Sequence, residues 1–359
     1  MSAPSSMLVY FVVPDAIDDT ARVSGGNVYD RQVRDGLRSN GWDVRMILVG
    51  DGSPAAQAFA ELPDGALALV DGLVAVEESH TVVAESKRLR LVVLAHMVWG
   101  VDRERELLQV VNTVVATSEW TRSELTSRDL VAPGNVVVAR PGTDPAPATV
   151  ASPAGGRLLC IGVVAPHKGQ DLLVHALSRL TDIEGWTCTI AGALTTAPEF
   201  VDELRSTIQK SRLTPRVTFV GPLAGTSLER AYGGADLVIA PSRSESFGMV
   251  VAEALAHGIP VVASRVGGIP EAMSHSNAGT LVPADDPWAL EVVLRQWLTG
   301  TEHRAELKAA AMDARLAVRP WSATIAVIAA ALKSVVDETA HSNDGHSNNA
   351  RSNATVQTR

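Results

Sequence analysis

Cysteine is almost absent from this chain. Its 359 residues include two, Cys160 and Cys188, each inside an apolar segment that reads as a strand, so a disulfide framework and a cysteine-built metal site are both excluded. Two buried free thiols fit a reducing cytoplasm. The sequence also lacks H-E-x-x-H, a G-x-S-x-G elbow and any Asp-x-Asp, which removes the usual evidence for a zinc hydrolase, a serine hydrolase or a carboxylate-held metal–diphosphate. No apolar run reaches the ~18 residues that a bilayer requires. The start, Met1-Ser-Ala-Pro-Ser-Ser, has neither the basic nor the apolar region of a signal peptide, so the expectation is a protein neither exported nor integral to a membrane. Basic residues are outnumbered, 31 against 40 acidic, and the net charge of −9 argues against nucleic acid as a partner. An anionic ligand needs a local basic pocket.

What is present is a well-filled core, with 46% hydrophobic residues in a chain long enough for two domains. Short apolar runs at 7–13, 44–49, 66–70, 91–95, 113–116 and 136–139 alternate with polar or helical stretches, which predicts an open parallel sheet covered on both faces. Residues 145–156 are rich in Pro, Ala and Gly without periodicity and read as a linker. Runs at 157–163, 186–191, 217–220, 237–240, 260–263 and 279–282 then repeat the pattern, so the fold class is α/β with two doubly wound, Rossmann-like domains. Helices close the chain at 287–299, 302–317 and 320–336, and the Ser- and Asn-rich tail 341–359 is expected to be disordered.

The most informative stretch runs from Ser242 to Gly258. Ser246 reads as the N-cap of a helix from Phe247 to His257, and Gly258 with Pro260 as its stop. Glu253 and His257 share one face of that helix, with Met249 a turn earlier, and the other faces are Val, Leu and Ala. A carboxylate on so apolar a helix must be hydrogen-bonded, and the vicinal hydroxyls of a ribose offer two donors to Glu253. Glu245 stands just before the helix, where the free N–H groups of Gly248, Met249 and Val250 favour an anionic or polyhydroxyl ligand. The plain alternative is a solvated Glu253–His257 pair and a polar loop.

Other candidates lie elsewhere. Gly25-Gly26 precedes a helix read over 27–40 and lets backbone approach a ligand, or is a plain turn; it is not a G-x-G-x-x-G fingerprint. Arg31, Arg34 and Arg38 share a face of that helix, as a solvated stripe or as a contact with an anionic lipid or acceptor, the one route to peripheral membrane contact. His96 directly follows a strand, at the carboxyl end where ligands collect. Lys168 occupies a strand-to-helix turn that lacks the glycine and hydroxyl residue of a P-loop.

Glu245-Ser-Phe-Gly-Met-Val-Val-Ala-Glu253, followed by Gly258-Ile-Pro-Val-Val-Ala-Ser and Gly267-Gly268-Ile269-Pro270-Glu271, resembles the paired-glutamate region of the retaining glycosyltransferases of family four. Arg140-Pro-Gly-Thr-Asp144 resembles another segment of that family in part. The resemblance implies the GT-B fold, two Rossmann-like domains facing a central cleft. It divides the chain into an acceptor-side domain over 1–146, a nucleotide-sugar domain over 157–318 and a helix over 319–340 that returns to the first domain. It implies transfer of a sugar from a nucleoside diphosphate donor to an unidentified hydroxyl with retention of configuration; no cofactor is expected, and the lack of an acidic cluster to hold a divalent ion against the diphosphate predicts catalysis without metal. The catalytic positions it implies are His96, Lys168 and Glu245. The donor-binding positions are Gly25, Gly26, Lys168, Arg243, Glu245, Phe247, Gly248, Met249, Val250 and Glu253. One position departs from the family: an Arg five residues before the Lys is here Val163, so Arg243, or after it Arg265, is the candidate replacement cation. A sugar-nucleotide epimerase or phosphorylase on the same architecture, or a binding subunit without turnover, are the alternatives.

Overall fold

The computed structural model describes residues 7–353 apart from 21, 51, 53, 274 and 275, and only the backbone over 339–353. The segments 1–6, read above for a leader, and 354–359 lie outside the described residues.

Continuous Val, Ile and Leu runs bury both faces of a strand, and they form two parallel sheets. The first holds β1 (Leu8–Pro14), β2 (Asp43–Val49), β3 (Leu67–Asp71), β4 (Arg90–Ala95), β5 (Thr113–Ala116) and β6 (Val136–Val138), in the order β2-β1-β3-β4-β5-β6. The second holds β7 (Arg157–Ile161), β8 (Thr187–Ala191), β9 (Val217–Gly221), β10 (Leu237–Ala240), β11 (Val261–Ser264) and β12 (Gly279–Val282), ordered β12-β11-β10-β7-β8-β9. Each strand falls within about two residues of its sequence expectation, the normal uncertainty of an element boundary. Strand order reverses between β1 and β3 in one sheet and between β7 and β10 in the other. The crevices outside the carboxyl ends of those strands are where such sheets bind ligands, and the candidate residues of both halves lie there.

The two faces of the first sheet bury separate clusters. One gathers Val12, Phe59, Val70, Leu91 and Leu107; the other joins Phe11, Tyr29, Val33 and Leu37 to Trp321, Ile325, Ile328 and Leu332 of the last helix. That helix, Trp321–Asn353, lies against the helix Gly25–Ser39 because Gly36 has no side chain: a methyl there would stand within 2.7 Å of Ile325 Cδ1. The expected disorder from 341 onward gives way to helix through Asn353. Extending a formed helix fixes one residue per new hydrogen bond, so polar Ser and Asn follow a nucleated segment more readily than their composition suggests. No single helix among the described residues is long and apolar enough to cross a membrane. Cys160 and Cys188 are buried free thiols, and burial pushes the Cys160 thiol up to about 12.

Candidate active site

The second half builds its part of the site from loops after β7 and β10. Lys168 ends a tight turn, Pro166–Lys168, and Gly169 follows with φ 68°, where a methyl would collide with the Pro241 carbonyl. The turn aims Lys168 Nζ at Glu245 Oε2, 2.5 Å away. Gly267 and Gly268 close over that glutamate: a methyl on Gly268 would stand 2.2 Å from the Ser246 oxygen, and the Gly268 N–H donates to the Glu245 carbonyl at 3.0 Å. The two glycines therefore serve close backbone approach around Glu245.

The helix behind this loop is shorter than expected and differently capped. It runs Met249–Ala256, and its cap is Gly248 at φ 96°, with no side-chain bond; Ser246 does not cap it. A left-handed residue turns the chain sharply into the helix, and only glycine takes it without strain. The Ser246 carbonyl instead accepts from Ser118 Oγ at 2.6 Å, a contact with the first half. The Met249 and Val250 N–H groups, in the first turn, have no acceptor within the helix. Phe247 is buried beneath them.

Glu253 and His257 share a face, as their spacing predicts, but their partner is Tyr232. Its hydroxyl donates to Glu253 Oε2 at 2.6 Å and its ring stacks on His257 with centroids 4.7 Å apart. His257 Nδ1 lies 3.1 Å from the Pro147 carbonyl, so the solvated Glu–His pair does not form. Only Oε1 of Glu253 is left without a protein partner among the described residues, which halves the expected two-oxygen grip on a ribose. Burial pushes the Glu253 carboxyl up to about 7, against the Tyr232 bond, which lowers it.

The first half contributes Gly25, Gly26 and His96. Ser24 Oγ accepts from the Asn27 N–H at 3.1 Å, so the helix is Gly25–Ser39 and begins on the two glycines rather than after them. A methyl on Gly26 would touch His96 Cδ2 at 3.5 Å, and one on Gly25 would touch Met249 Sδ at 3.7 Å. Consecutive glycines thus meet His96 on one side and the first turn of helix Met249–Ala256 on the other, which brings the predicted residues of the two halves together. His96 Nε2 is 2.8 Å from Asp30 Oδ1 and 3.3 Å from Asp71 Oδ2. Sequence reasoning missed both aspartates, although Asp71 ends β3 by the same rule that singled out His96. This is the one grouping among the described residues compact enough to surround a metal ion, its ligand atoms within 4.8 Å of each other, and the imidazole already bonds both carboxylates.

The arginine expectations are corrected. Arg31 donates to the Ile17 carbonyl, Arg34 pairs with Asp18 and Asp35, and Arg38 donates to the Val44 carbonyl, so the stripe braces the first half rather than facing a lipid or acceptor. Arg243 donates to both oxygens of Asp171 at 2.7 Å, to Asp285 at 2.5 Å and to the Pro166 carbonyl. A guanidinium with this many acceptors is not free for a phosphate. Arg243→Ala is therefore expected to lower stability by about 1 kcal/mol, discounted because the pair is partly exposed, and to leave turnover intact; a thermal melt beside steady-state rates checks both. Arg265, exposed after β11 with no side-chain partner among the described residues, is the remaining candidate cation.

Polar contacts between described residues hold the halves together. Besides Ser118 to Ser246, the Glu271 carboxylate accepts from the Glu119 N–H at 2.8 Å and from Arg140 Nε at 2.8 Å. Glu271 ends the Gly-Gly-Ile-Pro-Glu segment, so the stretch whose glycines cradle Glu245 also reaches the partner half.

Residues 153–313 match the family described as glycosyl transferases, group 1. The chain is 34% identical over 227 residues to a D-inositol 3-phosphate glycosyltransferase of Jonesia denitrificans, covering 58% of this chain and 54% of that protein. It is 31% identical over 259 residues to the enzyme of the same name from Mycolicibacterium vanbaalenii, covering 66% and 56%. The chain thus matches little more than half the length of these relatives. Sucrose-phosphate synthase from Thermosynechococcus elongatus superposes with a TM-score of 0.78 at 19% identity, over 92% of this chain and all of that one. HepE from Anabaena, solved in complex with UDP-glucose, superposes with a TM-score of 0.74 at 19% identity, over 91% of this chain and all of that one. The fold is GT-B.

Proposed function

We propose that the chain transfers a sugar from a nucleoside diphosphate sugar to a hydroxyl acceptor with retention of configuration, working in the cytoplasm without a metal. The observation that supports this reading is the approach of Gly26 to His96 and of Gly25 to Met249, which brings the glycine pair and the imidazole of one half to the first turn of the helix that follows the Glu245 loop, where Lys168 pairs with Glu245. The match of residues 153–313 to group 1 glycosyl transferases supports the reaction class, and the complex of HepE with UDP-glucose makes a uridine donor the first to test. The relatives' name makes an inositol phosphate the first acceptor to test.

In this reading Glu253 Oε1 accepts from a donor hydroxyl, and the diphosphate takes Lys168 from Glu245 as it enters. Charge then develops on the leaving diphosphate, where Lys168 and the helix N–H groups are already aimed. Val163 in place of the family arginine, with Arg243 held by two aspartates, favours one second reading, a donor-binding subunit without efficient turnover. A thermal-shift screen of UDP-, GDP- and ADP-sugars tests the shared premise, because a ligand that binds the native state raises its melting temperature. One class of nucleotide sugar is expected to raise it; no shift with any donor sinks both readings.

A further inference from the structure

The buried carboxylate pair around His96 has no role in the reading above, and it is unusual electrostatically. The side chains of Asp30 and Asp71 are 1% and 5% exposed, and both reach the same ring nitrogen, Nε2, at 2.8 and 3.3 Å. Asp71 Oδ1 also accepts from the Val74 N–H at 3.0 Å, whereas Asp30 Oδ2 is buried without a hydrogen-bond donor and its nearest acidic neighbour is Asp71. Burial pushes the Asp30 carboxyl up to about 7 while Asp71 is held below its ordinary range, so the pair carries at least one buried negative charge, and that charge needs a partner because an unpaired buried carboxylate is among the costliest groups a fold can hold. Among the described residues the ring is the one basic side chain paired with the two carboxylates; Tyr29 meets it edge-on at 5.2 Å, and the Arg319 charge acts on Tyr29. Ring nitrogen Nδ1 has no protein partner among the described residues and is not closed off, and Gly26 faces the Cδ2–Cγ edge of the ring without a side chain.

We propose that Asp30 and Asp71 are positioning residues that hold His96 as an imidazolium, with Nε2–H turned inward to the carboxylates and Nδ1–H presented to the cleft as a fixed, charged donor. It would meet the sugar–phosphate end of the donor beside the first turn of helix Met249–Ala256, adding a cation to a site that Val163 leaves one short. The inference rests on the transferase reading for its purpose, though not for its test. The electrostatics agree in direction: burial alone would lower the histidine, and the two aspartates outweigh it and raise it.

Nitrogen-15 NMR of the histidine-labelled 359-residue chain, with His96→Gln to assign the signal, reads the ring directly and needs no donor. His96 is expected to stay doubly protonated through pH 8 in the wild type. In Asp30→Asn/Asp71→Asn, which keeps shape and removes charge, it should titrate near or below the ordinary value of about 6.5. Its turnover should then fall about thirtyfold between pH 5.5 and 8, as the imidazolium fraction falls, while the wild type holds and the donor KM changes little. A neutral ring in the wild type at pH 7, an unchanged titration in the double variant, or a ring signal that shifts on adding zinc alone would each overturn the proposal. If the double variant does not fold, the wild-type titration still decides. Absence of sugar transfer with an intact imidazolium would sink the transferase reading and leave this one standing.

Discussion

Lys168→Ala should reduce sugar transfer on the order of 10²–10³-fold at saturating donor, the loss usual when one fixed group facing a developing negative charge is removed. Among the described residues the lysine is the one side-chain cation paired with Glu245, at 2.5 Å, and the residue five positions before it is the uncharged Val163. Its absence also leaves the Glu245 carboxylate facing the diphosphate with no counter-charge, which adds repulsion to the lost attraction. Donor affinity should fall less than turnover, because the helix N–H groups and Glu253 remain. Steady-state rates and donor titration on the same sample separate the two. Arg265→Ala is the companion measurement: a loss nearly as large identifies the second cation, and a Lys168→Ala variant with wild-type kcat would take the lysine out of the chemistry.

Glu253→Ala should weaken donor binding by roughly tenfold to a hundredfold, the cost of about 1.5–3 kcal/mol for a lost charge-assisted hydrogen bond. Because Tyr232 occupies one oxygen, the lower half of that range is expected. The effect carries a pH signature. Burial raises the carboxyl to about 7, and only the ionised form accepts at Oε1 unconditionally, so wild-type donor affinity should fall as pH drops through that value. In Glu253→Gln the affinity should be weaker and flat across the same window. The stability contribution has the opposite sign: a raised carboxyl pKa favours the protonated native state, so that contribution is present at low pH and is lost as pH rises through about 7. Isothermal titration from pH 6 to 8 checks the binding limb, and parallel pH dependence in wild type and Glu253→Gln would assign it to another group.

The strands were legible because each is a short, unbroken Val, Ile or Leu run, and burial on both faces of a parallel sheet leaves that trace in sequence. That the glycine pair and His96 lie near the helix after Glu245 was legible from the family resemblance and, for His96, from its place at the carboxyl end of a strand, where such sheets collect ligands. Partners were not. Arg243 lies 72 residues from Asp171 and 42 from Asp285, and Tyr232 lies 21 from Glu253, so no local spacing announces either arrangement. The helix cap failed for a different reason. Ser246 has the right chemistry, but the chain enters the helix through the left-handed Gly248, and a backbone turn outranked a side-chain preference. The arginine stripe of helix Gly25–Ser39 shows the same limit, since three cations on one face look alike whether they meet solvent, lipid or the protein's own carbonyls.

The central claim is retaining transfer from a nucleotide sugar across this cleft, and proton NMR of the reaction tests it most directly. The protein is incubated in EDTA with the donor selected by the melting screen and a panel of hydroxyl acceptors that includes inositol phosphate, and the anomeric signals are followed. The account predicts release of nucleoside diphosphate matched by a new glycoside whose anomeric coupling has the same configuration as the donor, and no product from Lys168→Ala on the same timescale. A product of inverted configuration, or a folded protein that binds donor and releases no diphosphate with any acceptor, would contradict it.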